Sequence, residues 1–177
     1  MHQQISEILK PLAGLPLWKT HRAGNIQVFQ FGGKQFRTTR KGVSVQIGDY
    51  GIHLSCSWRI IGFERIIVGS GDVYWAAGDP DQEPPNFRWD IAGANRRDER
   101  IDALFSTRQN APFMVESVTA DAFGGAVLFL SDGYGLEFTP HDSLPKEHWR
   151  LLDNINDGRP HYVVTGAGID VIPESEE

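Results

Sequence analysis

The segment Ile52-His53-Leu54-Ser55-Cys56-Ser57-Trp58-Arg59-Ile60 decides the fold. Every second residue in it is apolar, from Ile52 to Ile60, and the residues between them are polar. Side chains of a β-strand point alternately to the two faces of a sheet, so this pattern predicts a strand with one buried face. A strand with one apolar and one polar face is typical of an antiparallel sheet.

Segments that precede this one predict further antiparallel strands. Residues 26–31 alternate and lead into Gly32-Gly33, a pair that suits a two-residue hairpin turn because glycine readily adopts positive φ. The returning strand would then occupy residues 34–39. Another strand is expected to run through residues 43–47.

The second half of the chain carries its strongest hairpin signal at residues 126–138. A two-residue turn at Asp132-Gly133 would place Phe129 opposite Leu136 and make that face of the hairpin apolar. Two closing strands are expected at residues 149–152 and 161–165.

Apolar residues at helical spacing predict two helices. The first covers about residues 2–10, because Pro11 should end it near Lys10. The second begins after Asn95, a good N-cap, with Asp98 at the reciprocal capping position. Its buried stripe would comprise Ile101, Leu104 and Phe105.

These elements together predict an α+β fold in a single domain that covers residues 1–177. The sheet would be mostly antiparallel, arranged as hairpins, a meander or a half-barrel. One central helix and the short N-terminal helix would pack against it. Residues 172–177 form an acidic tail that we expect to be disordered.

Composition and charge restrict the classes of partner. The chain has 177 residues, enough for a core that needs neither disulfides nor metal. Seventeen Lys and Arg residues against 23 Asp and Glu residues give a net charge of −6, which argues against nucleic-acid binding. This charge would attract a basic protein partner, or it serves solubility alone.

Two observations favour a cytoplasmic location. The lone Cys56 cannot form an intramolecular disulfide, which favours a reducing compartment. No stretch has the length of a membrane span, and residues 1–9 lack the apolar run of a signal peptide. We therefore expect no membrane partner.

The loop after Gly78 and the start of the second helix supply the candidate partner-binding residues. The loop alternates acids like a calcium loop but has prolines where such a loop needs its glycine, so we interpret it as stiff and exposed. Arginines in the first helical turn oppose the helix dipole, and we expect them on the outer face, either in ion pairs or in partner recognition. The candidates are Asp79, Asp81, Glu83, Asp90, Arg96, Arg97 and Arg100.

Two polar groups leave an enzymatic alternative open. His53, Ser55 and Ser57 share one face of the predicted strand, as in a small hydrolase, although an activated serine also needs a third, orienting group. The cluster His141, Asp142, Glu147 and His148 has zinc-ligating side chains without the spacing of a known zinc motif. The sequence therefore assigns no catalytic, cofactor or metal residue.

A set of short motifs resembles a bacterial domain family of unknown function over most of residues 15–168. The motifs are Trp58-Arg59-Ile60, Trp89-Asp90, Asn95-Arg96-Arg97-Asp98-Glu99, Asp121-Ala122-Phe123-Gly124-Gly125 and Glu147-His148-Trp149-Arg150-Leu151. The resemblance implies a single α+β domain and carries no activity with it.

The sequence as a whole favours a non-enzymatic protein-binding domain of a bacterial cytoplasm. Its sharpest form would be an immunity protein that neutralises a basic toxin, since opposite charge speeds encounter. The alternative is a small hydrolase or metal-dependent enzyme at one of the two polar groups.

Overall fold

The computed structural model describes residues 1–39, 41–79, 81–82, 84–156 and 161–172. Within these residues the elements are α1 His2–Leu9, β1 Pro16–Ala23, β2 Ile26–Thr38, β3 Ser44–Leu54, β4 Ser57–Gly62, β5 Arg65–Gly69, α2 Arg96–Ser106, β6 Phe113–Ala120, β7 Ala126–Leu130, β8 Tyr134–Thr139, β9 Glu147–Asp153, β10 His161–Thr165 and β11 Gly168–Ile172. Short 3-10 helices occupy Lys10–Leu12, Ser70–Tyr74 and Ser131–Gly133.

The described strands form one sheet in the order β11-β10-β9-β3-β2-β1-β6-β7-β8-β4-β5. Every pair of neighbours in it is antiparallel. The predicted α+β fold with a mostly antiparallel sheet, a short N-terminal helix and one further helix is therefore confirmed. In the part of the chain that the structure describes, no helix is long and apolar enough to cross a membrane.

The segment 52–60 crosses from one half of the sheet to the other. The predicted single strand is wrong, because β3 ends at Leu54 and β4 starts at Ser57. The amides of Ser55 and Cys56 both donate to the carbonyl of His148, at 2.8 and 3.0 Å. The predicted buried face is confirmed, since every apolar residue of the alternation is buried.

The two halves of the sheet share one core. Phe29 of β2 meets Trp58 of β4 edge to face at 5.4 Å between ring centroids. Phe138 of β8 meets Trp149 of β9 in the same way at 5.3 Å. Because these pairs join strands that are far apart in the sheet order, the sheet must curl until its inner faces touch.

Gly32 and Gly33 form a bulge within β2, so the predicted hairpin turn there is wrong. The strand continues to Thr38, and its register against β3 shifts between Phe31 and Lys34. The carboxylate of Asp49 accepts a hydrogen bond from the Gly33 amide at 2.5 Å. A β-bulge uses the positive φ of glycine as a turn does, and the side-chain partner on β3 fixes this one.

The hairpin of β7 and β8 is confirmed, but its predicted register is off by one residue. The loop has three residues, Ser131–Gly133, and Leu128 rather than Phe129 lies opposite Leu136. Asp132 in this loop has a φ of 60°. Phe129 consequently points outward, while Leu128 is buried.

The predicted ends of the chain are confirmed in part. α1 ends at Leu9, and Pro11 lies in the short 3-10 helix that follows. The two expected closing strands are β9 and β10. Of the predicted tail at 172–177, Ile172 is the last residue of β11, and residues 173–177 lie outside the described part of the chain.

Truncation of Trp58 tests the shared core. Trp58 is buried against Phe29, so Trp58→Ala should leave a cavity and lower the free energy of unfolding by about 3–5 kcal/mol. Ser57→Ala is the control, because its exposed side chain lies outside the core. Urea denaturation measures both, and equal losses in the two variants would contradict a core that spans both halves.

Candidate partner-binding surface

Four large apolar side chains between residues 74 and 91 are exposed to solvent. Tyr74 is 59%, Trp75 54%, Trp89 38% and Ile91 49% exposed. The rings of Tyr74 and Trp89 contact each other at 6.2 Å between centroids. We call these three aromatic residues, together with the aliphatic Ile91, the aromatic surface, and exposed aromatic residues are enriched at protein interfaces.

Asn95 holds one side of the aromatic surface. Its side-chain oxygen accepts a hydrogen bond from the Asp98 amide at 2.9 Å, so the predicted N-cap of α2 is confirmed. Its side-chain nitrogen donates to the carbonyl of Trp89 at 3.0 Å. Asn95 is buried, and these hydrogen bonds join the loop to the helix.

The segment that carries Trp75 is held by backbone hydrogen bonds. The Arg96 amide donates to the carbonyl of Trp75 at 2.8 Å, and the Ala77 amide donates to Ala94 at 2.9 Å. An isolated β-bridge joins Ala76 to Asn95. The segment that carries Trp75 and the loop that leads into α2 are therefore tied together directly.

The carboxylate of Asp98 fastens this assembly to the sheet. It accepts hydrogen bonds from Arg22 Nε of β1 at 2.9 and 3.0 Å, and from the Gly93 amide at 2.9 Å. Both charged side chains of this pair are largely buried. Arg22 also donates to the carbonyl of Asp90 at 3.2 Å. It therefore binds the loop before Gly93 as well as Asp98 of α2.

Arg97 lies inside the protein, which corrects its predicted place on the outer face. Its side chain is 0% exposed, and Nη1 donates to Asn25 through contacts of 3.3 and 3.4 Å. Nε and Nη2 have no hydrogen-bond partner among the described residues. Burial lowers the pKa of Arg97, and the nearby Asp98 opposes this effect. Arg97 precedes Ile101 by four residues, so helical periodicity could have placed it on the buried stripe.

The other two helix arginines also contact the fold. Arg96 is partly buried, with Nε 3.9 Å from a carboxylate oxygen of Asp72. Arg100 donates from Nη1 to the carbonyl of Ile67 at 3.2 Å. Arg96 and Arg100 therefore contact neighbouring elements of the fold and do not form an outward-facing basic patch.

The acidic residues of the preceding loop do face solvent. Asp79 and Asp81 are exposed, and the Asp79 carboxylate accepts from the Asp81 amide at 3.0 Å. The Gly78 amide donates to the carboxylate of Glu99, at 3.2 Å to each oxygen, which ties the loop to α2. Glu83 lies outside the described residues. Asp90 is exposed and paired with Arg88 at 2.6 Å.

The structure does not bring His53, Ser55 and Ser57 together as a catalytic group. His53 lies on β3 opposite Arg150 of β9, whereas Ser57 starts β4 in the other half of the sheet. Burial, and next the charge of Arg150, lower the pKa of His53. Cys56 offers no reactive thiol, because burial raises its pKa to about 12.

Three of the four residues of the predicted zinc-ligating cluster do come together. Donor atoms of His141, Asp142 and His148 all lie within 4.8 Å of one another. Glu147 pairs instead with Arg150, through Oε1 at 2.7 Å from Nε. His148 is buried where the register of β9 against β10 shifts, whereas Glu147 is only half-buried and does not join it.

Comparisons with protein-family models, with curated proteins and with solved structures gave no match. The resemblance to a bacterial domain family therefore stays a prediction.

Removal of the charge on Asp98 tests the assembly beneath the aromatic surface. Asp98→Asn leaves the largely buried Arg22 without its counter-ion, so the free energy of unfolding should fall by about 2–3 kcal/mol. Asp102→Asn on the same helix is the matched control, because Asp102 is exposed and its loss should change little. Chemical denaturation measures the free energy of unfolding of both variants. Similar values would show that Asp98 does not anchor the loop.

The lowered pKa of His53 gives a second prediction, for stability against pH. The folded protein keeps His53 neutral below the ordinary histidine pKa of about 6.5, while the unfolded chain takes up a proton there. Stability should therefore decrease as the pH falls below about 6.5. Urea denaturation at pH values above and below about 6.5 should show that the free energy of unfolding depends less on pH in His53→Gln than in Ser55→Ala. If the stability of His53→Gln depended on pH as strongly as that of the parent, the lowered pKa of His53 would be contradicted.

Proposed function

We propose that this protein is a non-enzymatic binding domain whose aromatic surface receives a basic protein partner. The observation that carries the proposal is the group of exposed aromatic residues held in place by Asn95, Asp98 and Arg22. Exposed apolar side chains lower the solubility of a protein. A group of them that is held in a fixed position on the surface is therefore typical of a binding site.

Rigidity favours this surface as a binding site. Binding costs free energy whenever loops and side chains must be ordered, and pre-organised surfaces avoid much of this cost. Tyr and Trp add large contact areas with few rotatable bonds. The loop from Trp89 to Asn95 is tied to α2 and β1 before any partner arrives.

Charge around the aromatic surface selects a basic partner. Residues 72–102 contain eight acids and four arginines, a net charge of −4 out of −6 for the whole chain. Of these acids, Asp90 is paired with Arg88 and Asp98 with Arg22 of β1, so the exposed Asp79 and Asp81 contribute most to the local negative potential. An acidic surface speeds the encounter with a basic protein.

Arginine is the partner residue that this surface suits best. A guanidinium stacks on the faces of Trp and Tyr and also pairs with carboxylates. Trp75 and Asp79 offer these two interactions within one short segment. A basic toxin such as a nuclease is one form of this partner, and a cytoplasmic immunity protein is the corresponding role.

The enzymatic alternative at His53 has less support. His53 and Ser57 lie in different halves of the sheet, and the charged neighbour of His53 is Arg150. A hydrolase needs its nucleophile and base within hydrogen-bond reach.

Truncation of the two tryptophans tests the surface. Trp75→Ala/Trp89→Ala should weaken binding by about 2 kcal/mol or more, roughly 30-fold in Kd, as expected for interface anchors. The partner is first captured from the native cell, identified and purified, and its Kd is measured by calorimetry. Phe36→Ala is the matched control, because Phe36 is an exposed aromatic residue on β2. Equal Kd values for both variants, or an acidic partner, would contradict the proposal.

Charge reversal tests the electrostatic part separately. Asp81→Lys should slow association with the same partner, and the difference from the parent should shrink as salt screens the charges. Asp170→Lys makes the same charge change on the exposed edge strand β11 and should have a smaller effect. Stopped-flow association across a salt series measures both variants. Identical association rates for the two variants would show that the acidic loop does not speed binding of the partner.

A further inference from the structure

A second group of side chains lies away from the aromatic surface, where β8 leads into β9. His148 belongs to β9 and its side chain is only 3% exposed, while His141 and Asp142 belong to the preceding loop. His148 Nε2 lies 3.4 Å from Asp142 Oδ1, and His141 Nε2 lies 3.8 Å from Asp142 Oδ2. The two imidazoles thus approach the two oxygens of one carboxylate.

These separations are close to those of a metal site. In a tetrahedral zinc site with metal–ligand distances of about 2.0–2.1 Å, neighbouring ligand atoms lie about 3.3–3.4 Å apart. The His148–Asp142 separation already has this value. The donor atoms of the three residues lie within 4.8 Å of one another, so the half-exposed ring of His141 must move inward by up to about 1.4 Å to complete the site.

We propose that His141, Asp142 and His148 bind a divalent transition-metal ion, with zinc as the best match. Imidazole nitrogens with one carboxylate are the ligands of zinc, whereas calcium and magnesium prefer oxygen ligands throughout. The three side chains supply three ligands and leave a fourth position open to water.

The surrounding backbone holds the ligands in place. The His148 carbonyl accepts two amide hydrogen bonds from the β3–β4 crossing, and the Leu144 amide donates to Asp142 Oδ1 at 2.9 Å. Gly166 lies against the loop so closely that a Cβ there would be 2.5 Å from the carbonyl oxygen of Asp142. Only glycine fits at this position, so the loop is pressed onto the end of β10.

Metal binding would exchange two hydrogen bonds for metal–ligand bonds. His148 Nε2 lies 3.1 Å from the carbonyl of Asp142 and can donate to it, and His141 Nδ1 accepts a long hydrogen bond of 3.3 Å from the Ser57 amide. A metal at His141 Nε2 moves the ring proton to Nδ1, where it opposes the Ser57 N–H. The Ser57 amide therefore reports directly on metal binding.

A cavity of about 380 Å³ lies beside His141 and Asp142 and is also lined by Phe123, Pro140, Thr165 and other residues. A cavity of this size admits water or a small ligand to the metal. Sites with three protein ligands and one open position differ in this way from closed structural zinc sites.

Metal titration of the full chain, purified without a histidine tag, tests the proposal. Calorimetry with zinc should show one equivalent bound, and cobalt should give the visible absorption of a tetrahedral site. Asp142→Asn and His141→Gln should each weaken zinc binding by about tenfold or more. Both side chains are at least partly exposed, so these variants should fold even where His148→Gln does not. His161→Gln, a histidine outside the cluster, is the matched control and should bind zinc like the parent.

Nitrogen–proton correlation spectra separate this site from zinc binding elsewhere. Zinc should shift the Ser57 amide resonance of the parent, and the shift should disappear in His141→Gln. Failure to bind zinc, equal affinity in the parent and in both ligand variants, or an unmoved Ser57 amide in the zinc-bound protein would each overturn the proposal.

Discussion

The ion pair between Asp98 and Arg22 is the interaction on which the candidate binding surface depends. One carboxylate receives the guanidinium of β1, the Gly93 amide and the Asn95 side chain at 3.0 Å. It thereby joins α2 and the loop directly before it to β1, a strand 76 residues away in the chain. Because both partners are largely buried, loss of either one leaves a charge with poor solvation, and the loop above would lose its anchor.

Arg97, whose pKa is affected by both residues of this pair, is a buried charge with few hydrogen bonds. Arg97 is buried, two of its nitrogens have no hydrogen-bond partner among the described residues, and its contacts with Asn25 are long. Such a group costs stability unless nearby carboxylates compensate it, and Asp98 and Asp72 are the ones that act on it.

The sequence predicted which residues are buried better than it predicted which strands pair. Alternation from Ile52 to Ile60 identified the inward-facing residues. It does not show that the chain leaves one pair of neighbouring strands and joins another at Ser55 and Cys56, where both amides bind the carbonyl of the distant His148. Gly32-Gly33 has the same local chemistry in a turn and in a bulge, and only the Asp49 side chain distinguishes them. For the candidate sites, four-residue spacing to Ile101 could have placed Arg97 inside. The contact between Arg22 and Asp98 has no sequence signal, because it joins distant segments.

Photo-crosslinking in the native cell tests the central claim most directly. A photoreactive phenylalanine analogue replaces Tyr74 in the aromatic surface, and in a parallel sample it replaces Phe36, an exposed aromatic residue on β2. The account predicts a covalent adduct with a basic protein from position 74 and none with that protein from position 36. The same adducts from both positions, or none from position 74, would contradict it.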